Sequence, residues 1–464
     1  MKALRLAMAL ALIGSGAMAQ TTVDLTLDQA RNVATQALFA DDPQLAIQIA
    51  EAILSQVPDD RASLLIVAAA APRLGDPERG RKAGARAFAV STTDLQKYEA
   101  ARLTALAAAN EERYTLSTFW LRRALTVAPN AEERARTLND ARGVTRLNPW
   151  SSNLSFSLAP SNNVNGGAED ENLSISGNDT GGQISEDGLA LAGWRATLGL
   201  STQYRFQQNA NSRSAVGLSY QGSRVRLTED TDVTDEALST DTLQIILRHE
   251  RALENGTISI SLSQAAYQYR DFDLRTREID LERYDTTRLE LNRRISLSDR
   301  TLLSLSASRE RLEYSVDTVG QVDRTSLGAG ITYLLDSNDR VGINLSLGQA
   351  SGDNVNYTSN DQTLSMTYSW AEPIGPVSLT AGAGVSLRKY SEFLVFDPNI
   401  IGFAPLDGGR KDSTAFANLS IGFPQVSYAG FSPGLRLDAS RTRSNVSRYD
   451  RTTLTTGLTI SSSF

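Results

Sequence analysis

From Trp150 to the carboxy-terminus, apolar and polar residues alternate in runs separated by polar or turn-forming segments. The last run places Leu454, Leu458 and Ile460 on one face and mostly threonine, glycine and serine on the other. A period of two is typical of a β-strand whose two faces meet different surroundings. About fourteen such runs, each roughly 9 to 11 residues long, predict an antiparallel, up-and-down membrane β-barrel over residues 148–464.

The connections between these runs favour a barrel over a soluble sandwich. Long connections alternate with short ones, as they do in outer-membrane barrels with short periplasmic turns and longer outer loops. The long connections are residues 160–192, 228–239, 271–285 and 391–411, and the short ones include 253–256, 298–300 and 335–339. The closing strand is expected to pair with residues 153–159 of the first strand.

Aromatic residues recur at the ends of the even-numbered strands. If the chain enters the barrel from the periplasm, these strands return to that side. The predicted periplasmic girdle consists of Phe206, Tyr333, Trp370, Phe423 and Phe464. Aromatic side chains concentrate at membrane interfaces, whereas a sandwich has no reason to place them at one end only.

The face opposite the apolar stripe is expected to line the lumen. On the sixth strand Leu289 and Leu291 face lipid, so their neighbours face inward. The predicted lumen residues are Arg288, Glu290, Asn292 and Arg294 on that strand, with Arg436 and Asp438 on the thirteenth. Charges of both signs form either ion pairs that stiffen the wall or a surface for gating or guiding a substrate. A change of parity between Tyr220 and Val225 predicts a bulge near Gly222.

The amino-terminus has the features of a secretory signal peptide. Lys2 and Arg5 precede an apolar run over residues 6–13, and small residues flank Met18. This pattern predicts a signal peptide over residues 1–19 that is cleaved after Ala19. The protein is therefore expected to be exported. Because the chain has no cysteine, it is expected to carry neither disulfides nor an amino-terminal lipid anchor of its own.

Residues 20–147 predict a periplasmic helical domain. Apolar residues recur at helical spacing, as in Leu45, Ile49 and Ile53. Pro58 and Pro129 end two of the predicted helices and are 71 positions apart, which is two periods of the length found in tetratricopeptide repeats. Three helix pairs resemble such repeats in period. Stacked pairs form a solenoid whose concave face can hold a polypeptide, and a generic helical bundle is the alternative.

Charge and composition argue against several classes of function. Residues 20–147 hold 16 basic and 16 acidic residues, and residues 148–464 hold 28 and 37, so nothing favours a nucleic-acid partner. The acidic outer loops are solvated or share divalent cations with lipopolysaccharide, and calcium binding there stays open. His249 is the only histidine and falls at the periplasmic end of its strand. No catalytic residues, cofactor or zinc site are expected, and the protein is not predicted to be an enzyme.

The whole arrangement resembles a known family. The exit from the first strand, residues 158–165, reads Leu-Ala-Pro-Ser-Asn-Asn-Val-Asn, which is similar to the Pro-x-x-Asn-x-Asn segment at the start of the barrel in the surface lipoprotein assembly modulators, the Slam family. This resemblance implies an outer-membrane translocator that is inserted by the barrel-assembly machinery. It would deliver a lipoprotein or related exported protein from periplasm to cell surface.

Two other functions remain open. Helical repeats followed by a barrel also occur in exopolysaccharide export porins, and a passive outer-membrane pore is the third possibility. Glycan export predicts a lumen with aromatic stacking platforms or charge of one sign, which the mixed charges of the predicted lumen do not match.

Overall fold

A computed structural model describes residues 25–272, 279–316, 318–397, 402–426, 428 and 431–462. Phe464 and the predicted signal peptide with its cleavage site lie outside these residues. The chain divides into two compact units, the first ending at Asn148 and the second beginning at Pro149. Among the described residues, no helix is both long enough and apolar enough to cross a membrane.

The first unit is helical, as predicted. Its described part contains α1 (Leu27–Phe39), α2 (Pro43–Gln56), α3 (Arg61–Ala70), α4 (Pro77–Ala89), α5 (Asp94–Asn110), α6 (Tyr114–Thr126) and α7 (Ala131–Leu147). A short 3₁₀ turn over Ala71–Leu74 follows α3.

Capping residues set where these helices begin. Thr26, Asp60 and Thr93 precede α1, α3 and α5, and each side chain accepts a hydrogen bond from a backbone N–H in the first turn. These caps recur at intervals of 34 and 33 residues. Asp42 and Asp76 cap α2 and α4, each with proline at the first helical position. The repeat period expected from the sequence is therefore present in the helix starts.

Small side chains let the helices of the first unit pack closely. Ala46, Ala50 and Ala70 are fully buried with Ile49 and Ile53 in one core. A second core surrounds Tyr98, Trp120 and Leu121. Neighbouring helices contact in chain order, and α1 also contacts α3, which contacts α5. The odd-numbered helices therefore lie side by side, as the inner helices of a solenoid do.

Asp60 links the first repeat to the second. Its carboxylate caps α3 through the backbone N–H of Ser63 at 2.9 Å, and it accepts a second hydrogen bond from Arg31 on α1. Burial raises the pKa of Asp60, but the hydrogen bonds from Arg31 and Ser63 outweigh burial and leave the pKa below its ordinary value. The ionised carboxylate is thus part of the native packing.

Replacing Asp60 by alanine is expected to destabilise the helical unit by about 3 kcal/mol at neutral pH, because both a cap and a buried ion pair are lost. The control Asp76→Ala removes only a cap and should cost about 1 kcal/mol. Urea unfolding of the full chain, followed by helical circular dichroism, measures both. Since folding lowers the pKa of Asp60, its contribution is present above the ordinary value of 3.8 and is lost as the pH falls through the folded pKa. Equal losses for the two variants would contradict the role given to Arg31.

The second unit is a closed antiparallel barrel of fourteen strands within the described residues, which confirms the predicted fold. Its strands are β1 (Trp150–Ser161), β4 (Gly193–Gln208), β5 (Ser212–Leu227), β6 (Thr240–Leu253), β7 (Gly256–Phe272), β8 (Ile279–Ser296), β9 (Thr301–Tyr314), β10 (Gln321–Leu334), β11 (Arg340–Gly352), β12 (Ser359–Ser369), β13 (Ser378–Tyr390), β16 (Arg410–Gly422), β17 (Phe431–Ser444) and β18 (Arg451–Ser462). Two hairpins lie in long connections, β2 (Asn172–Ile175) with β3 (Asn178–Gln183), and β14 (Leu394–Asp397) with β15 (Gly402–Pro405).

Each strand presents an apolar stripe to the outside of the barrel. Leu345 of β11 pairs with Leu364 of β12 and with Ala329 of β10, and these side chains share the outer face. Both leucines are exposed on the isolated chain, as are equivalent residues around the ring. A continuous outer apolar band of this kind is what lipid requires. Short connections such as residues 209–211 and 254–255 lie at one end, called the turn end, and long ones at the other, called the loop end.

The ring closes between β1 and β18. These strands are neighbours, as expected, but the bridged pairs are confined to Ser157 with Thr459, Leu158 with Leu458 and Ser161 with Thr455. The shortest of the other barrel ladders, β12 with β13, has ten residue pairs. The β1–β18 seam is therefore the least hydrogen-bonded joint among the described strands.

The bulge predicted near Gly222 was wrong. β5 pairs without interruption with β4 and β6 on both sides of Gly222, and the register shift instead falls at Phe206 of β4. Strict alternation puts Val225 on the inner face of β5. Val225 is apolar because it packs against a loop inside the barrel, not because the strand changes parity.

Candidate functional site

The six predicted lumen residues lie on inner-face positions of their strands. On β8, Arg288 donates to Glu290 at 3.0 Å, and Asn292 donates to the same carboxylate at 2.8 Å. On β17, Arg436 pairs with Asp438 at 2.8 Å. Arg294 is exposed one step nearer the turn end. Because the paired charges neutralise each other along each strand, these sites resemble wall-stiffening pairs more than a track for one ligand charge.

Small polar residues cover much of the inner face at mid-depth. Ser306 of β9 lies opposite Gly328 of β10, and Gly328 lies opposite Ser346 of β11. The same alternation continues around the ring at Ser157, Gly199, Ser219, Ser261, Ser263, Ser365, Gly382, Gly384, Ser420 and Gly457. Side chains this short occupy little of the lumen at these positions.

The predicted girdle residues lie at the turn end. Phe206 and Tyr333 are exposed near the ends of β4 and β10, and Trp370 and Phe423 directly follow β12 and β16. Other aromatic residues at this end were not predicted: Trp150 contacts Tyr204 and Tyr368 contacts Trp370, with ring centroids 4.7 and 4.6 Å apart. The spacing of these aromatic residues along their strands was the signal in the sequence that could have identified them. The fifth predicted member, Phe464, falls outside the described residues.

The loop from Asn162 to Ala192 packs against the inner wall at the loop end. Val164 is buried with Leu191 and Val233 against Val225 of β5. Arg195, on the inner face of β4, donates to the backbone carbonyl of Val164 and to Ser223. Inner-face side chains thus hold the first long loop inside the rim.

Two asparagines of the Pro-x-x-Asn-x-Asn segment fix the shape of this loop. Asn163, only 4% exposed, donates to the carbonyl of Gly167 at 2.9 Å and accepts from its N–H at 2.8 Å. Asn165 donates to the carbonyl of Leu189 at 2.6 Å and to that of Asp187 at 3.0 Å, and it accepts from the N–H of Leu191 at 3.0 Å. A Cβ on Gly167 would lie 2.1 Å from the carbonyl of Leu189, so only glycine fits there. The segment therefore locks the two arms of the loop together.

The first loop is also joined to the last one, residues 445–450. The backbone N–H of Ser174 donates to the hydroxyl of Ser447 at 2.8 Å, and the N–H of Ser176 donates to the carbonyl of Asn445 at 2.7 Å. Arg448 donates to the carbonyl of Gly188 at 2.8 Å. These bonds cross the β1–β18 seam and strengthen it at the loop end.

Arg410 organises a third part of the loop end. It is 7% exposed and lies 3.7 Å from the ring centroid of Tyr449 and 3.8 Å from that of Tyr390. Its guanidinium also pairs with Asp412 at 3.0 Å. Stacking between two rings and pairing with a carboxylate suit arginine and not lysine. Arg410 therefore connects β13 and β16 to the last loop.

Tyrosines cover the inner wall across β7, β8 and β9. Tyr267, Tyr284 and Tyr314 stack in sequence with ring centroids 4.6 and 4.8 Å apart. Leu312 and Val322 are buried in the same cluster. Together with the first loop and Arg410, this cluster fills part of the lumen at the loop end. The residues of this tyrosine cluster did not stand out in the sequence, because the pattern of a strand does not show which side chains will stack across neighbouring strands.

The helical unit has a groove of its own, lined by α1, α3, α5 and α7 with Ser117 and Leu121 of α6. Its volume is about 1090 Å³, at the upper limit of typical small-molecule sites. Aliphatic side chains dominate the lining, including Leu65, Ile66, Leu103, Leu106, Val144 and Leu147. This inner groove exposes a broad apolar surface on the helical unit.

Comparison with known proteins identifies the family from the barrel. The family model described as surface lipoprotein assembly modifier matches residues 150–464, which is more than half of the chain. The chain belongs to the surface lipoprotein assembly modifier family. A search of curated proteins finds no match.

Solved outer-membrane proteins overlap the chain only loosely. The siderophore receptor PirA from Acinetobacter baumannii is 10% identical with a TM-score of 0.33, covering 63% of this chain and 53% of its own. The chain thus spans about half the length of that receptor. OccK11 (OpdR) from Pseudomonas aeruginosa is 10% identical with a TM-score of 0.31, covering 67% of this chain and 94% of its own. Nothing about function is taken from these structures.

Family membership and the closed barrel place the protein in the outer membrane, with a general role in exposing lipoproteins at the surface. The family is one of transport and assembly and not an enzyme class. Of the sequence features that suggested this family, the Pro-x-x-Asn-x-Asn segment now has a physical role, because its asparagines anchor the loop inside the rim.

Asn165→Ala is expected to loosen the first loop, because it removes four side-chain hydrogen bonds of about 1 kcal/mol each, including one from the N–H of Gly167 at 3.3 Å. The purified full chain in planar bilayers should then show higher and noisier single-channel conductance than the unmodified protein. Asn172→Ala is the control, since the Asn172 amide bonds Asp170 within the same loop. Identical traces from all three proteins would show that the asparagine lock does not limit the pore.

Proposed function

We propose that the protein delivers a lipoprotein, or a related exported protein, from the periplasm to the cell surface. In this proposal the helical unit receives the client in the periplasm, and the barrel provides the route across the outer membrane. Lipid and lipopolysaccharide surround the barrel, and the barrel-assembly machinery inserts it. The observation that carries the proposal is the family match to the barrel, residues 150–464.

The lumen supports a route for a polypeptide. Its small, polar inner face gives a moving chain little to bind, and the pairs of Arg288 with Glu290 and of Arg436 with Asp438 place charges of both signs on it. At the loop end, ordered loops occupy part of the opening. A passive pore does not need such internally anchored loops, whereas a translocator needs a seal between uses.

Glycan export receives less support. A sugar stacks on a free aromatic face, but the rings of Tyr267, Tyr284 and Tyr314 stack on one another. Tyr284 is therefore stacked against both Tyr267 and Tyr314, which leaves less of this aromatic surface for a sugar. The aromatic cluster acts as packing for the wall and the loops more than as a platform for a polymer.

Deletion of the gene is expected to leave a client lipoprotein abundant in the cell while protecting it from protease added outside. Complementation with the full chain should restore cleavage of the client. The measurement is protease shaving of intact cells, with lysed cells as the control for total client. Unchanged exposure of every surface lipoprotein in the deletion strain would rule the proposal out.

A disulfide across the loops tests whether the client leaves through the loop end. The chain has no cysteine, so Ser174→Cys with Ser447→Cys introduces a single pair where the first and last loops meet. Oxidation is expected to stop client display, and a reductant should restore it. Each single-cysteine variant is the control. Normal display by the oxidised pair would mean that the client leaves the barrel elsewhere.

A further inference from the structure

The inner groove has an unusual combination of apolar walls and satisfied polar groups. Arg61 donates to Gln96, Ser91 and Glu99, and Arg102 donates to Tyr98, Glu133 and Asp140. The hydroxyl of Ser117 donates to the carbonyl of Ala105 at 2.7 Å, and that of Thr35 donates to the carbonyl of Arg31 at 2.8 Å. Among these residues, the Asn139 side chain has the most unused hydrogen-bonding capacity, because its carbonyl accepts only one hydrogen bond, from Arg142 at 3.5 Å.

These internal bonds decide which ligands suit the groove. An extended peptide would bring backbone N–H and C=O groups into an apolar surface that offers them few partners, at a cost for each group left unpaired. The charges of Arg61 with Glu99 and of Arg102 with Asp140 cancel, so no net field selects a charged segment. Burial raises the pKa of Tyr98, which keeps its hydroxyl neutral.

An acyl chain has no hydrogen-bonding groups and gains free energy with every methylene that it buries. The groove offers aliphatic side chains along four neighbouring helices and a volume of about 1090 Å³. Leu106, which lines the groove, is 55% exposed, so the described part of the helical unit leaves this surface uncovered. Large exposed apolar surfaces of this kind mark ligand or partner sites.

We propose that the inner groove shelters acyl chains of the client lipoprotein. This inference rests on the proposed function, in which the client carries such chains, and names the part of the client that the helical unit holds. The groove keeps the acyl chains out of water while the protein part of the client remains outside it. The competing occupant is the apolar face of an amphipathic helix, whose backbone groups are already paired.

The test uses the full chain in lipid nanodiscs and a synthetic triacylated lipopeptide that carries a photoreactive group on one palmitoyl chain. Cross-links are mapped by mass spectrometry of the digested protein. Leu106→Glu places a charge in the groove. Leu95→Glu is the matched control, because Leu95 lies on the same helix and is 54% exposed but does not line the groove. Circular dichroism checks that both variants fold.

Cross-links are expected in α3 and α5, with a yield about tenfold lower for Leu106→Glu and unchanged for Leu95→Glu. The bilayer is the same for all proteins, so partition of the probe into lipid does not affect the comparison. Equal yields from both variants, or cross-links confined to the barrel, would overturn the inference. Equally potent competition by an unacylated amphipathic peptide would assign the groove to a helix instead.

The display assay separates this inference from the proposed function. If gene deletion abolishes client display while the lipopeptide fails to label the groove, the proposed function stands and the acyl site is rejected. If the groove is labelled but deletion leaves display intact, the acyl site stands and the delivery role is rejected.

Discussion

Backbone hydrogen bonding in lipid is the constraint on which the barrel depends. A strand in the bilayer has no water to satisfy its N–H and C=O groups, so every strand needs a neighbour on both sides. Fourteen described strands meet this need by closing into one ring. Closure fixes the outer face as apolar, since lipid surrounds it, and leaves the inner face as the place for polar side chains. The charges of Arg288 and Arg436, each beside a carboxylate, follow from this division.

Short side chains have opposite effects in the two units. In the helical unit, alanines such as Ala46 and Ala50 let helices approach closely and form a dry core. In the barrel, serines and glycines such as Ser306 and Gly328 keep the inner wall thin and the lumen wet. Large side chains form the apolar and packing surfaces. Leucines lie on the outside of the barrel and in the inner groove, and tyrosines lie beneath the loops.

The sequence predicts the features that depend on local periodicity. Alternation is enough to assign the strands and the faces of Leu289 and Arg288, and helical spacing with the interval between Pro58 and Pro129 predicts the repeats. Features that join distant parts of the chain were not predictable. Val225 looked like a break in parity because a single strand cannot show that a loop will pack against its inner face. Arg410 and Tyr284 likewise acquire their contacts only when neighbouring strands and loops pack together. The inner groove was expected only as a concave surface, and its apolar character depends on which arginines pair with which carboxylates.

The β1–β18 seam has a mechanical consequence. A closed ring under outward pressure parts where the fewest bonds resist, and this joint is bridged at only three described residue pairs. Toward the loop end, the hydrogen bonds of Ser174 and Arg448 join the first and last loops across the seam. Any widening of the ring at this joint is therefore resisted at the loop end, where the first and last loops are bonded across it.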